Sequence, residues 1–289
     1  MTDPGISAAG KVVLVTGGAR GIGAAIAVGL RAAGARVAVL DLDAEALAAC
    51  PEDVLKVQAN VARPEDCEVA VAQVRAKCGG LHVLINNAGI GMGTIREDHF
   101  AHPVRLAEIE PDHWRRFFEV NCMGAFLMMR AAVPHMVEQG WGRVVNVTTS
   151  FFTMLNEGFA PYGPAKAALE AASAIWAKEF ESSGVTVNVL IPGGPTDTRM
   201  VPESAPFARD AMIPPAAMVP PAQWLASPAS DGVNGRRFVA ALWDPARPPE
   251  QAAAAAGAPI AWPELTSQGR VWPPSRPDPR HRSSGGRQP

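Results

Sequence analysis

Tyr162 and Lys166, four residues apart in YGPAK, are the side chains whose types and spacing best suit chemistry. Residues at i and i+4 share one face of a helix. A phenol and an ammonium on that face can form an acid/base pair. A free phenol, with a pKa of roughly 10, holds its proton too firmly to work at neutral pH. A cation ~4 Å away, at an effective dielectric of ~20, contributes about 4 kcal/mol, or roughly 3 pKa units. The spacing therefore predicts a phenol drawn toward working pH, where acid/base efficiency peaks. Pro164 is compatible with a helix that starts there, because proline suits a first turn. Alone, the pair also fits an ordinary helix surface, so its meaning depends on its surroundings.

Those surroundings alternate. Val12–Val15 reads as a strand, Gly21–Ala33 as a helix with Ile22, Ile26 and Leu30 at helical spacing, and Arg36–Leu40 as a second strand. Strand, glycine turn, helix, strand is a βαβ unit. Strands follow at Val54–Val57, Leu81–Ile85, Arg143–Val147, Thr186–Ile191 and Arg237–Ala241. Helices are expected at Pro64–Lys77, Pro111–Glu138, Pro164–Ser182 and Pro221–Ala226. The pattern predicts an α/β fold, a doubly wound parallel sheet with helices on both faces. Residues 1–244 would form one catalytic domain with a lid at about 195–220. Residues 245–289 would be a Pro-, Ala- and Arg-rich C-terminal extension, disordered in its last run RPDPRHRSSGGRQP. Trp262 and Trp272 suggest that its earlier part packs on the body or on a neighbouring subunit.

The first turn, TGGARGIG from Thr16 to Gly23, lies between the first strand and its helix. Glycines there let a pyrophosphate approach the backbone, and the helix N-terminus offers free N–H groups and a positive dipole end. Asp41 ends the second strand. A carboxylate there can accept from both adenosine ribose hydroxyls and would repel a 2′-phosphate. The next residue is Leu42, not an arginine. The expected cofactor is NAD(H) in preference to NADP(H), although Arg20 lies close enough to the turn to meet a phosphate.

Composition narrows the alternatives. The 289 residues are 48% hydrophobic and 19% charged, with a net charge of −2, enough for a large core and unsuited to a nucleic-acid or membrane surface. The opening MTDPGISAAG has neither the basic start nor the apolar run of a secretory signal, and no apolar run would span a bilayer. The four cysteines, Cys50, Cys67, Cys78 and Cys122, lack C-x-x-C spacing and read as free thiols in a reducing cytoplasm. No metal site is expected.

Taken together, the chain resembles the short-chain dehydrogenase/reductase family over about residues 9–242. The resemblance rests on ordered motifs: TGGARGIG, NNAG at Asn86–Gly89, Asn121 in VNCMGAF, YGPAK, and IPGGPTDT starting at Ile191. It implies a Rossmann-like single domain and an NAD(H)-dependent oxidoreductase that interconverts a secondary alcohol and a ketone by hydride transfer. Tyr162 would be the general acid/base. Lys166 would lower its pKa and bind the nicotinamide ribose, and Asn121 would hold a water linking Lys166 to solvent. Cofactor contacts would come from Gly17, Arg20, Gly21, Ile22, Gly23, Asp41, Leu42, Asn60, Val61, Asn87, Ala88, Gly89, Tyr162, Lys166, Pro192, Gly193 and Thr198. The nicotinamide carboxamide would meet Ile191 and Thr198.

A hydroxyl after the fifth strand should orient the substrate. NVTTS offers Thr148, Thr149 and Ser150. The family's usual spacing selects Thr149, but its methyl would crowd the substrate, so Ser150 is the expected residue. Two departures stand out. Asn60-Val61 replaces the frequent Asp-Val, and Leu242–Asp244 replaces the glycine pair after the last strand.

The substrate wall would draw on Ile90, Phe151, Phe152, Met154, Phe159 and Met200, which suits a hydrophobic alcohol or ketone. His99, His102, Arg96 and Arg105 are assigned to the surface. Apolar positions on more than one helix face, including Phe117, Phe118, Phe126, Leu169, Ile175, Trp176 and Phe180, predict a homodimer or homotetramer. The rival readings are a non-catalytic NAD(H)-binding sensor or scaffold, and a sugar epimerase or dehydratase of the extended relatives. A tuned phenol argues against the first, and the lack of a sizeable second domain against the second.

Overall fold

In a computed structural model, which describes residues 6–264, the chain folds around one twisted sheet. The first unit is β1 (Val12–Thr16), α1 (Gly21–Ala32) and β2 (Arg36–Asp41). A short α2 (Ala44–Ala48) leads to β3 (Leu55–Gln58), α3 (Pro64–Cys78) and β4 (Val83–Asn86). Next come α4 (Pro111–Phe118), α5 (Gly124–Glu138), β5 (Gly142–Val147), α6 (Phe151–Leu155), α7 (Tyr162–Glu179) and β6 (Val185–Ile191). The last elements are α8 (Val219–Leu225), β7 (Arg236–Val239), α9 (Pro249–Ala256) and β8 (Gly257–Pro259).

The strand order is β3-β2-β1-β4-β5-β6-β7-β8, with every pairing parallel except β7 with β8. Parallel strands covered on both faces read as unbroken apolar runs. VVLVT in β1 is such a run and is buried throughout. Alternation splits it: Val13 and Val15 face the layer of α1, α8 and α9, while Val12 and Leu14 face α3 and α5. The order reverses between β1 and β4, because β1 pairs with both β2 and β4. In such sheets ligands bind outside the carboxyl ends of the strands at that reversal.

Local signals fix the helix ends. Pro64 opens α3, with Glu65 and Asp66 in the first turn, where the dipole favours acid. Gly79, at φ 82°, closes it in the left-handed conformation. The helix expected over Pro111–Glu138 is instead interrupted. Residues Glu119–Met123 form a π-helical turn between α4 and α5. Such a turn inserts an extra residue into the helical ladder and is frequent at functional sites. It carries Asn121. α7 starts at Tyr162, two residues earlier than expected, which leaves Pro164 in its first turn.

Sequence reasoning missed α2, α6, α9 and β8. The last two belong to the extension. β8 pairs with β7 in the register Arg237↔Ala258, and the following Ile260 is buried against Val189, Ile191 and Val239. Trp272 and the RPDPRHRSSGGRQP run lie outside the described residues. If Ile260 anchors this strap, Ile260→Ala should cost about 2–4 kcal/mol of stability. Urea unfolding checks this; a loss below about 0.5 kcal/mol would mean that the strap adds nothing to the core.

Candidate active site

The glycine turn is built without room for side chains. Gly17 and Gly21 sit at φ 59° and 52°, a region that favours glycine. A Cβ on Gly23 would stand 2.1 Å from the Gly17 carbonyl oxygen. α1 begins at Gly21, and Arg20 before it makes no side-chain cap. The first-turn N–H groups thus keep the donors that a phosphate needs.

The NNAG segment is tied to this turn. Thr16 Oγ1 accepts from the backbone N–H of Asn87 (3.0 Å) and of Ala88 (3.1 Å). Asn87 Nδ2 donates to the Thr16 and Gly17 carbonyls, both at 3.0 Å. Asn87 spends its amide on the protein, and Thr16 is a positioning residue that the motif reading did not single out. Asn86, beside it, donates to Asn146 Oδ1 at 2.8 Å, and Asn146 donates to Ser173 Oγ at 2.8 Å, which ties β4, β5 and α7 together.

Between these loops and residues 197–209 runs a cleft of about 1540 Å³. Gly17, Arg20, Gly21, Ile22, Asp41, Leu42, Asn60, Val61, Asn87, Ala88, Gly89 and Thr198 line it. Gly23, Pro192, Gly193, Tyr162 and Lys166 do not. Gly23 lies within the turn's packing. Pro192 accepts from Ala241 N, and a Cβ on Gly193 would meet Val239 at 2.8 Å, so this pair is packed against β7. The 197–209 segment comes close at Thr198, whose Cγ2 is 3.1 Å from a Cβ on Gly21, and at Met200, whose Cγ is 2.6 Å from one on Gly91. The cradle and the free N–H groups fit a dinucleotide.

At the far end of β2, Asp41 accepts from Ala19 N (3.2 Å) and Asp43 N (3.1 Å). Arg20 is paired with Asp43 at 2.6 Å. Leu42 is exposed. Asn60 Oδ1 accepts from Ala62 N at 3.0 Å, shaping the turn after β3.

The residues expected to act as acid and base lie behind the NNAG loop. The π turn presents Asn121, 1% exposed, whose Oδ1 accepts from Ile90 N and whose Nδ2 donates to Ile90 O, both at 3.1 Å. A Cβ on Gly89 would stand 2.6 Å from Asn121 Oδ1 and 3.5 Å from Lys166 Nζ. Lys166 is buried and donates to the Val147 carbonyl at 2.9 Å. Burial lowers its pKa to about 8, opposed by nearby Cys122. Tyr162 is half-buried beside Ile90, Phe159 and the buried Met92 and Phe117.

The expected drop in the Tyr162 pKa is reversed. Burial pushes it up to about 12, and the force opposing that rise is a hydrogen bond with the Thr149 side chain rather than the charge of Lys166. Withdrawing a phenolate from water costs more than its neighbours return here. Ser150 is engaged elsewhere. It caps α6, accepting from Thr153 N at 3.1 Å, and its hydroxyl lies 2.9 Å from Thr153 Oγ1. Thr148 donates to Glu170 at 2.7 Å.

The expected substrate wall is partly assembled, with Ile90 and Met200 lining the cleft and Phe159 packed beside Tyr162, while its other members lie apart. Met154 is buried, Phe152 is 77% exposed, and Phe151 packs on Trp262. His99, assigned to the surface, is buried between Phe100 and Phe159. His102 is exposed and pairs with Asp98, while Arg96 pairs with Glu108 and Arg105 with Glu157. Among the described residues no group of His, Cys, Asp and Glu could hold a metal ion, and no helix is long and apolar enough to cross a membrane.

The family model for short chain dehydrogenases matches residues 11–208. The chain belongs to this family. Among its relatives, the 3-oxoacyl-[acyl-carrier-protein] reductase of Synechocystis sp. is 34% identical over 191 residues, covering 63% of this chain and 73% of that protein. The Sphingobium indicum 2,5-dichloro-2,5-cyclohexadiene-1,4-diol dehydrogenase LinX is equally similar, 34% over 193 residues, covering 64% and 73%. Two solved structures share the fold. A Brucella melitensis 3-ketoacyl-(acyl-carrier-protein) reductase complexed with NADH has a TM-score of 0.69 at 25% identity, covering 79% of this chain and 95% of that one. A Burkholderia cenocepacia gluconate 5-dehydrogenase with NADP and tartrate has a TM-score of 0.71 at 26% identity, covering 81% and 94%. As a short-chain dehydrogenase, this chain is an NAD(P)-dependent oxidoreductase that exchanges hydride at a CH–OH or ketone carbon.

Burial of Lys166 makes a test by pH. Its pKa is about 8 folded and 10.5 as an ordinary lysine. Between those values the unfolded chain binds more protons, so rising pH relieves a cost that is full below about 8. Lys166→Met never carries that cost. Its stability relative to wild type should therefore be greatest near pH 7 and should shrink by about pH 10, as measured by urea unfolding at both. A difference independent of pH would contradict the lowered value.

Proposed function

We propose that the chain reduces a hydrophobic ketone to a secondary alcohol with NADH, and catalyses the reverse reaction, with Tyr162 as the acid/base. The convergence of Tyr162, the Thr149 hydroxyl, Lys166 and Asn121 behind the NNAG loop carries this reading. The bound nicotinamide would supply or accept the hydride. A phenol pushed up to about 12 is protonated at neutral pH but is a weak acid, so donation to a ketone oxygen would depend on stabilising the phenolate left behind. Lys166, one helical turn on, would then stabilise the phenolate that remains. Thr149, rather than Ser150, would orient the substrate oxygen, because Ser150 Oγ is used to cap α6. Ile90 and Phe159 beside Tyr162 supply an apolar wall. Exposed Phe126 and Ile175 on α5 and α7 support pairing of subunits through those helices.

NADH is preferred over NADPH in this reading. Asp41 lines the cleft, and Arg20, the cation nearest the turn, is committed to Asp43. Calorimetric titration should find NADH tighter by about tenfold or more, equivalent to about 1.4 kcal/mol. Asp41→Asn should narrow the gap, and tighter binding of NADPH by the wild type would reject the assignment.

The acid/base roles are checked by NADH oxidation with panels of ketones. Tyr162→Phe should leave NADH affinity intact and lower turnover about 100- to 10,000-fold. Thr149→Ala should lower turnover severely, whereas Ser150→Ala should act mainly on stability. Full turnover in Tyr162→Phe would end the proposal.

A further inference from the structure

Behind the Thr149 loop lies a buried ion pair that the proposed chemistry does not use. Glu170 stands on α7 one turn beyond Lys166 and is fully buried. Arg237 comes from β7 and is 5% exposed. Their side chains approach to 3.6 Å, from Arg237 Nη1 to Glu170 Oε2. Two buried charges are weak evidence for stability, since a well-packed apolar pair often does as well or better. What distinguishes this pair is what it holds.

Every additional contact runs to the substrate-side loop or to the strap. Glu170 Oε2 accepts from Thr148 Oγ1 at 2.7 Å. Arg237 Nη2 donates to the Thr149 carbonyl at 2.7 Å, and its guanidinium lies 4.2 Å over the Phe151 ring. Thr148, Thr149 and Phe151 are thus held from below by two side chains that lie within ion-pair range of each other without a hydrogen bond between them. The strap closes the arrangement. Ala261 N donates to Glu170 Oε1 at 3.3 Å, with Ala261 at the unusual φ of 62°, and Trp262 packs on Phe151 at 5.7 Å between ring centroids. A non-glycine residue persists in that backbone region only where its surroundings impose it.

We propose that Glu170 and Arg237 are a positioning pair that sets the height of the Thr149 hydroxyl against Tyr162, with the C-terminal strap as its brace. The inference rests on the reading in which Thr149 meets Tyr162. Arg237 Nη2 holds the backbone of Thr149, the residue set against the phenol in that reading. The pair touches neither the cleft nor the reacting atoms and acts only through Thr149.

Tyr162 is the only tyrosine in the chain, so a tyrosine ring labelled with carbon-13 at Cζ gives one resonance that needs no assignment. The decisive variant is the double Glu170→Gln/Arg237→Met in the full chain. It strands no buried charge: the amide oxygen can still accept from Ala261 N and the amide NH2 can donate to Thr148 Oγ1, while the donor to the Thr149 carbonyl is lost. Its melting temperature should stay near that of wild type, while the Tyr162 resonance moves toward the position seen in Thr149→Val. A wild-type resonance in the double variant, alongside a shifted one in Thr149→Val, overturns the positioning role and leaves the active-site reading intact. No shift in Thr149→Val overturns both. If the single Arg237→Met fails to fold, the neutral double variant still decides the matter, and failure of the double as well reduces the pair to a structural element.

Discussion

A hydroxyl and an amide hold this site together. Thr16 closes β1 and Asn87 follows β4, the two strands at which the sheet order reverses. Their mutual hydrogen bonds keep the glycine turn and the NNAG loop in contact across the mouth of the cleft. With that tie in place, Gly89 and Ile90 are delivered to Asn121, and Asn121 sits next to Lys166. The glycine cradle and the group of Asn121 and Lys166 are thereby joined by a few polar contacts at the ends of neighbouring strands.

The second constraint is desolvation. Tyr162 and Lys166 both lie where water is scarce, and each moves toward its neutral form. An argument from charge pairing alone assigns the phenol the opposite direction, because it counts the attraction of the ammonium and omits the lost hydration of both groups. Lys166 has also spent a donor on Val147. Burial thus holds the phenol more firmly in its protonated form and eases the ammonium toward the neutral amine.

Much of this was legible in the residues. Unbroken apolar runs such as VVLVT and VTVNVLI mark buried parallel strands, and their alternation with helices gives the doubly wound order. TGGARGIG and Asp41 place the cleft because the turn needs glycines at particular backbone angles. What escaped notice has physical causes as well. The π turn has helical composition on both sides, so periodicity reads straight through Glu119–Met123. The capping of α6 by Ser150 was not legible either, because α6 is only five residues long, too short for a periodic signal. Glu170 and Arg237 are far apart in sequence and meet only once β7 is laid beside β6.

The strap also settles the fate of the sheet's outer margin. A parallel sheet ending at β7 would present a row of unused backbone donors and acceptors, an invitation to pairing with another chain and to aggregation. β8 covers that row, yet is only three residues long and finishes in Pro259, which has no N–H to offer. The edge is blunted by its last strand, and recruitment of a foreign strand on that side is discouraged by the same few residues that brace Glu170.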